Sequence, residues 1–515
     1  MSANANMIAT LGAYAERTPE ATALITGVGA RRRTLSFGDV TALSATWAKT
    51  LEGNGVKNGD HVLVLQSISV ELYLALLAVF RIGAVAVFPD PQALLKSIET
   101  ACERTRPVAM IGGWPAQLLR FASRPLRKIE RSFSAAAVPW ATRLPMTKGA
   151  QSAVAHVPAE QAALVTFTSG STGAPKVIAR SHGFLAAQHA AIVRAVDFVP
   201  GTTTLTALPV FVLSHLASGV ASILPATDVR KPKDIDPGPL LTQIAENSAE
   251  TILASPALVE RLARAGKDEK LASVGDVLTG GGPIFPDIVD AAKRAMPRAR
   301  VHLAYGSTEA EPITHITHDE IAPDDVAATA KGKGLLAGKP TAGTDVAILR
   351  EAWGTPRPKL TRQAFDSLRV APGEPGEIVV AGDHVVASYV GGVGNAESKI
   401  DVDGRIWHRT GDAGTLDAQG RLWLLGRCAY RLKDDPPLYP LQVEAMARAV
   451  YGPVPIAAAR LDDKAVLVVE TGKTAAAPAP APFPVDRVVE VAKIPLDRRH
   501  QSKVDYASLK ALLQR

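Results

Sequence analysis

Between Leu164 and Lys176 the chain reads L-V-T-F-T-S-G-S-T-G-A-P-K, an apolar run entering a loop of Ser, Thr and Gly that a lysine closes. Small hydroxyl residues and glycines let backbone N–H groups converge on a polyphosphate, and the lysine brings positive charge to the outer phosphates. The loop departs from the Walker pattern G-x-x-x-x-G-K-[ST], because an Ala-Pro step precedes the lysine and neither Ser nor Thr follows it. A flexible Ser/Gly turn with a solvated lysine is the plain alternative.

The elements around such a loop follow from patterning. Helical periodicity followed by a short β-branched run recurs at Glu71–Arg81 then Ala84–Phe88, Pro256–Arg264 then Val274–Thr279, and Pro286–Ala295 then Arg300–Ala304. That alternation predicts the α/β class, with parallel or mixed sheets covered by helices. From Gly376 short strands and turn signals predict an antiparallel or barrel-like subdomain, and a short α+β unit follows Arg427. The Ala/Pro-rich stretch after Glu470 reads as an extended loop, and the Ala/Pro/basic region 124–161 as a surface connection.

With 515 residues the chain exceeds what one core of roughly 250–300 residues supports, so at least two units are expected. Hydrophobic residues at 47% and charged residues at 21% exclude a disordered or fibrous chain. The net charge of +7 suits anionic small molecules without calling for nucleic acid. Cys102 and Cys428 lack metal-ligand spacing and are too few for a disulfide framework, and no signal peptide is evident, so a cytoplasmic location is expected. Arg81 and Gly83 interrupt the apolar stretch 72–88, which reads as a buried helix and strand, with no membrane span.

T-S-G-S-T-G-x-P-K resembles the signature of the adenylate-forming superfamily of acyl-CoA ligases, peptide-synthetase adenylation domains and luciferases. The resemblance continues, in order, from E-L-Y-L-A-L-L-A-V-F-R to the C-terminus. It implies a large N-terminal domain, residues 1–427, of α/β-sheet subdomains plus a barrel-like β subdomain. A small mobile α+β lid, residues 428–515, completes the chain. ATP and Mg2+ are the implied cofactors, and a small carboxylic acid, such as a fatty acid, the substrate.

Thr168, Ser169, Gly170, Ser171, Thr172, Gly173 and Lys176 then face the phosphates. In the family the G-G-x-P turn and the Y-G segment flank the adenine, which transfers to Gly281, Gly282, Tyr305, Gly306, Ser307 and Thr308, with Glu309 as metal ligand. A hard carboxylate oxygen suits Mg2+ bridging phosphates. Asp412 of T-G-D would accept from both ribose hydroxyls, and Arg427 would contact the nucleotide. Lys503, in R-R-H-Q-S-K, matches the adenylation lysine, whose ammonium stabilises charge on the transferring carboxylate and phosphate. Phe211 and His215 lie where the family lines its acyl pocket, and core packing is an equal reading of both.

The hinge departs from the family pattern G-R-x-D-D-x-x-K-x-x-G. Ala429 occupies the pivot, and Pro436 stands near the glycine that lines the pantetheine tunnel. Proline fixes φ and removes an N–H, which counts against CoA as co-substrate. The P-L-Y segment, the S-P-A-L step at Ser255 and the R-H-x-x-K ending resemble the β-lactone synthetases of olefin pathways. Those enzymes need no thiol acceptor, because the substrate's own hydroxyl attacks the activated carbonyl. A divergent acyl-CoA or acyl-carrier ligase and a silent nucleotide-binding relative remain the other readings, and a carrier protein or pathway enzyme a possible partner.

Overall fold

Ser69 starts a helix at Val70 by accepting the Leu72 N–H on its hydroxyl, and no Gly or Pro interrupts the apolar run up to Arg81. Every residue of Val70–Arg81 except Glu71 is buried, and Gly83, at φ 72°, turns the chain into the strand Val85–Phe88. This run is a core element, and no helix among the described residues is long and apolar enough to cross a membrane.

The computed structural model describes residues 4–89, 95–168, 176–229, 232, 234–266, 268–472, 482–497 and 503–514. They fall into two units, one comprising Met1–Ala226, Thr242–Ala249 and Ser388–Val393, the other Thr227–Leu241, Glu250–Ala387 and Gly394–Arg515.

In the first unit a seven-stranded sheet runs Thr142–Arg143, Arg131–Ser134, Ala109–Gly112, His61–Leu65, Val85–Phe88, Ala162–Thr168, Lys176–Ser181. All neighbours are parallel except the last two strands, which form an antiparallel pair. The region 124–161 is more than a surface connection. Ser123 caps a short helix at Arg124–Arg127, and the strands Arg131–Ser134 and Thr142–Arg143 extend the sheet because Phe133 and Leu144 are fully buried.

In the second unit Thr251–Ala254, Asp276–Gly280 and Arg300–Ser307 are parallel. Helices Pro256–Ala265 and Pro286–Ala295 intervene in sequence, each with proline in its first turn, where a missing N–H costs nothing. An antiparallel array follows: Ala310–Thr317, Leu335–Pro340, Leu422–Arg427, Arg405–Leu416, Gly376–Ala381 and Asp345–Leu349. Gly376–Ala381 is apolar throughout except Glu377 because its two faces enter different cores, Ile378 and Val380 in one, Val379 and Ala381 in the other.

The end of the same unit is the expected α+β segment: helix Pro440–Tyr451, strands Ile456–Leu461, Lys464–Glu470 and Arg487–Val491, and helix Tyr506–Leu513. Leu441 and Ala445 pack on Leu335, the Gln442 side chain donates to the Gly332 carbonyl at 2.9 Å, and Arg448 Nε lies 3.0 Å from Asp287 Oδ1. Most of the Ala/Pro stretch after Glu470 lies outside the described residues.

Candidate active site

The strands Arg405–Leu416 and Leu422–Arg427 pair so that Asp412 stands opposite Arg427, with Arg427 Nε 3.2 Å from Asp412 Oδ1. The Tyr305 hydroxyl donates to the other carboxylate oxygen at 2.8 Å. Burial, together with the Asp412 charge, holds the Tyr305 phenol well above its usual pKa, so it stays a donor. Asp412 in turn raises the pKa of Arg427, and Glu309 adds to that effect. A carboxylate has about four acceptor directions, and among the described residues two are used, leaving capacity for a further donor such as a diol.

The T-G-D turn is built locally. The Thr410 hydroxyl accepts the Asp412 N–H at 3.1 Å and donates to the Ile378 carbonyl at 3.0 Å. Gly411 sits at φ 73°, and a Cβ there would come within 2.9 Å of the Trp353 ring, so no larger residue fits without strain. One residue further back, Arg409 is wholly buried and pairs bidentately with Glu377, Nη2–Oε2 2.7 Å and Nε–Oε1 2.9 Å. Its remaining donors reach the carbonyls of Ala352, Thr355 and Glu397. Sequence reading singled out Asp412 and missed this brace; the arginine inside H-R-T-G-D was its only signal.

The two glycine-containing motifs occupy the C-terminal ends of neighbouring parallel strands, where open α/β sheets bind ligands. Gly280 ends Asp276–Gly280 because a Cβ would meet the Ala304 carbonyl oxygen at 2.7 Å; Gly281 follows at φ 80°, then Gly282. Tyr305, Gly306 and Ser307 end the strand Arg300–Ser307. Thr279 Oγ1 and Ser307 Oγ are buried without a protein partner among the described residues, as expected of groups awaiting a polar ligand. Thr308 and Glu309 connect this strand to Ala310–Thr317, with the Glu309 carbonyl held by the Val386 N–H at 2.8 Å and its side chain half-buried. One accessible carboxylate fits Mg2+, which is bound chiefly through nucleotide phosphates and water.

The sequence profile of the AMP-binding enzymes matches residues 11–390, most of the chain, including this strand-end pair and Glu309. The chain belongs to the AMP-binding enzyme family. It is 30% identical over 467 residues to the olefin β-lactone synthetase of Xanthomonas campestris pv. campestris, covering 86% of this chain and 82% of that protein. The corresponding protein of Stenotrophomonas maltophilia is 31% identical over 446 residues, 83% and 78% of the two chains. A 2-succinylbenzoate–CoA ligase of Geobacillus kaustophilus is 27% identical over 83% of this chain and 79% of its own. ATP-bound MatB from Rhodopseudomonas palustris shares the fold, with a TM-score of 0.79 at 20% identity and 99% coverage of both chains. This AMP-binding enzyme is therefore an adenylate-forming ligase or synthetase.

The enzyme's other predicted residues are distributed as follows. In the first unit Lys176 is buried, opposite Thr168 in the antiparallel pair, with its ammonium 4.9 Å from the Tyr389 ring centroid. Ser169, Gly170, Ser171, Thr172 and Gly173 lie outside the described residues. Phe211 and His215 are buried on helix Phe211–Ser218. His215 Nδ1 lies 2.8 Å from Ser222 Oγ, its ring stands edge-on to Phe198, and burial lowers its pKa to about 3, so it is neutral. In the second unit Tyr305, Asp412 and Arg427 come together. Lys503 is exposed there, its N–H donating to Asp497 Oδ1 at 3.0 Å, while residues 498–502 are outside the described set.

At the hinge, Ala429 lies in a single turn, Cys428–Tyr430. Pro436 lies between the paired strands Lys433–Asp434 and Pro437–Leu438. Glu351 ties this segment down, accepting from the Tyr439 hydroxyl and pairing with Arg431 at 3.3 Å. Two surface hollows, one lined by Lys333, Asp417 and Gln442 and one by Arg264, Asp287 and Arg294, contain none of the predicted residues.

Proposed function

We propose that the enzyme activates a lipophilic 3-hydroxy acid and closes it to a β-lactone. The substrate carboxylate attacks the α-phosphorus of ATP, pyrophosphate leaves, and an acyl-adenylate forms. The substrate's 3-hydroxyl oxygen then attacks the activated carbonyl carbon, AMP leaves, and the hydroxyl proton passes to solvent. The chain-long likeness to two olefin β-lactone synthetases carries this reading, and Pro436 agrees with it, since no thiol arm need pass.

In this scheme Thr168–Gly173 and Lys176 hold the β- and γ-phosphates, and Gly281, Gly282 and Tyr305–Thr308 flank the adenine. Asp412 accepts from the ribose hydroxyls and Arg427 contacts the nucleotide. Glu309 would hold Mg2+, which neutralises phosphate charge when bound. Phe211 and His215 lie toward the acyl chain. Lys503 reaches the reacting centre from residues 428–515, the lid on the domain 1–427, and stabilises charge that develops only in transfer.

Carboxylate-dependent ATP–pyrophosphate exchange over a panel of acids tests the first half, and mass analysis of products from a 3-hydroxy acid, with and without CoA, tests the second. Loss of water from the acid without CoA is the expected result. A CoA thioester instead would establish a conventional acyl-CoA ligase, and no exchange with any acid would leave a nucleotide-binding relative.

A further inference from the structure

The first unit carries an exposed cluster of aromatic and aliphatic side chains. Helix Trp114–Ala122 presents Trp114, Leu118 and Phe121, at spacings of four and three, on one face, with Phe121 62% and Leu118 51% exposed. The opposite face is anchored inward: Gln117 is fully buried, donating to the Gly112 and Phe133 carbonyls and accepting from Ser132. Trp140 joins the exposed group edge-on, 5.6 Å from Trp114 and 5.2 Å from Phe121, and Met146 is exposed further along the chain. Two tryptophans and a phenylalanine left in water together mark an interaction surface.

Charge identifies the partner. Residues 114–148 hold seven Lys and Arg against one carboxylate, Glu130, a net +6 in a chain whose total is +7. Arg124, Lys128 and Arg143 are exposed, as is Arg127, whose guanidinium donates to the Phe121 carbonyl at 2.7 Å. Arg120, by contrast, donates to the Ile129 carbonyl, Lys148 pairs with Asp39, and Glu99 accepts from Ser123. Tryptophan favours the boundary between headgroups and acyl chains, and arginine and lysine beside it meet lipid phosphates. We propose that this face docks the enzyme on an anionic lipid bilayer, with the Trp114–Leu118–Phe121–Trp140 cluster inserted and the surrounding cations on the headgroups. The proposal concerns where the enzyme works and stands whether its product is a lactone or a thioester.

Co-sedimentation of the full chain with vesicles of phosphatidylglycerol mixed with phosphatidylcholine, against phosphatidylcholine alone, tests it. Binding to the anionic vesicles, weakened by salt, is expected. The double variant Arg124→Gln/Lys128→Gln should partition about 30-fold more weakly, as expected for two cations removed from an anionic surface. Trp114→Ser/Phe121→Ser should lose roughly tenfold or more through its lost apolar burial. Both should keep wild-type melting temperatures and ATP–pyrophosphate exchange in vesicle-free buffer. Absence of binding to anionic vesicles, or equal binding by both variants, would overturn the proposal. So would a wild-type oligomer that the Trp114/Phe121 variant dissolves, which would assign the face to a second copy of the chain.

Discussion

Asp412 divides its carboxylate between two partners, Arg427 on one oxygen and Tyr305 on the other, and so is fixed in place while its remaining lone pairs stay available. Arg427 is also held, donating from Nη1 to the Thr410 carbonyl at 3.0 Å. A pre-oriented acceptor of this kind loses little freedom when a donor arrives.

Asp412→Asn should therefore weaken ATP binding with little loss of fold. Hydrogen bonds to a charged group contribute about 1.5–3 kcal/mol, so titration calorimetry should show affinity falling about 10- to 100-fold. Unchanged ATP affinity would remove Asp412 from the nucleotide site.

The two proposed lysines should separate kinetically. Lys503→Ala should lower ATP–pyrophosphate exchange by about 100- to 1,000-fold, as loss of one transition-state donor does, while ATP affinity holds. Lys176→Ala should chiefly weaken ATP binding. The reverse pattern would exchange their roles.

Removing one partner of a wholly buried ion pair leaves an uncompensated charge, at about 3–5 kcal/mol. Glu377→Gln or Arg409→Met should each show that loss in denaturant unfolding, and replacing both with apolar residues should cost less than the two single changes added together. A loss under about 1 kcal/mol in either single variant, the range of an exposed pair, would contradict the brace.

Glu444 gives a pH signature. Its Oε1 accepts both the Ala458 N–H, at 3.0 Å, and the Tyr506 hydroxyl, at 2.9 Å, and burial raises its pKa from 4.5 to about 7. The folded chain then holds a proton that the unfolded chain has released, so this group's contribution to stability falls as pH rises from about 4.5 to about 7 and is flat above. Glu444→Gln keeps the Oε1 acceptor without the titration. Its unfolding free energy, from denaturant titration, should exceed the wild type's by a margin that widens through that window by about 3 kcal/mol. A margin constant with pH would show that Glu444 is ionised throughout.

Sequence patterning was enough to place the helices Pro256–Ala265 and Pro286–Ala295 and the strands beside them, because periodicity and proline position are local signals. Gly281 and Tyr305 were singled out through the resemblance, and the structure sets Gly281 just past one parallel strand and Tyr305 near the end of its neighbour. The supports were not: Arg409 meets Glu377 across 32 residues, Tyr439 meets Glu351 across 88, and Arg448 meets Asp287 across 161. Nothing local distinguishes such partners from solvated charges. The strands 131–134 and 142–143, the last two at one end of their sheet, were hidden by the Ala, Pro and Arg around them, and show themselves only once Phe133 has a core to enter.

The attachment of helix Pro440–Tyr451 through Leu441, Gln442 and Arg448 has a kinetic side. If residues 428–515 swing as a lid between half-reactions, these groups must first separate, and their attachment would then act as a brake on turnover. Where that swing sets the pace, loosening the Arg448–Asp287 pair would speed the enzyme even as it made the resting form less stable.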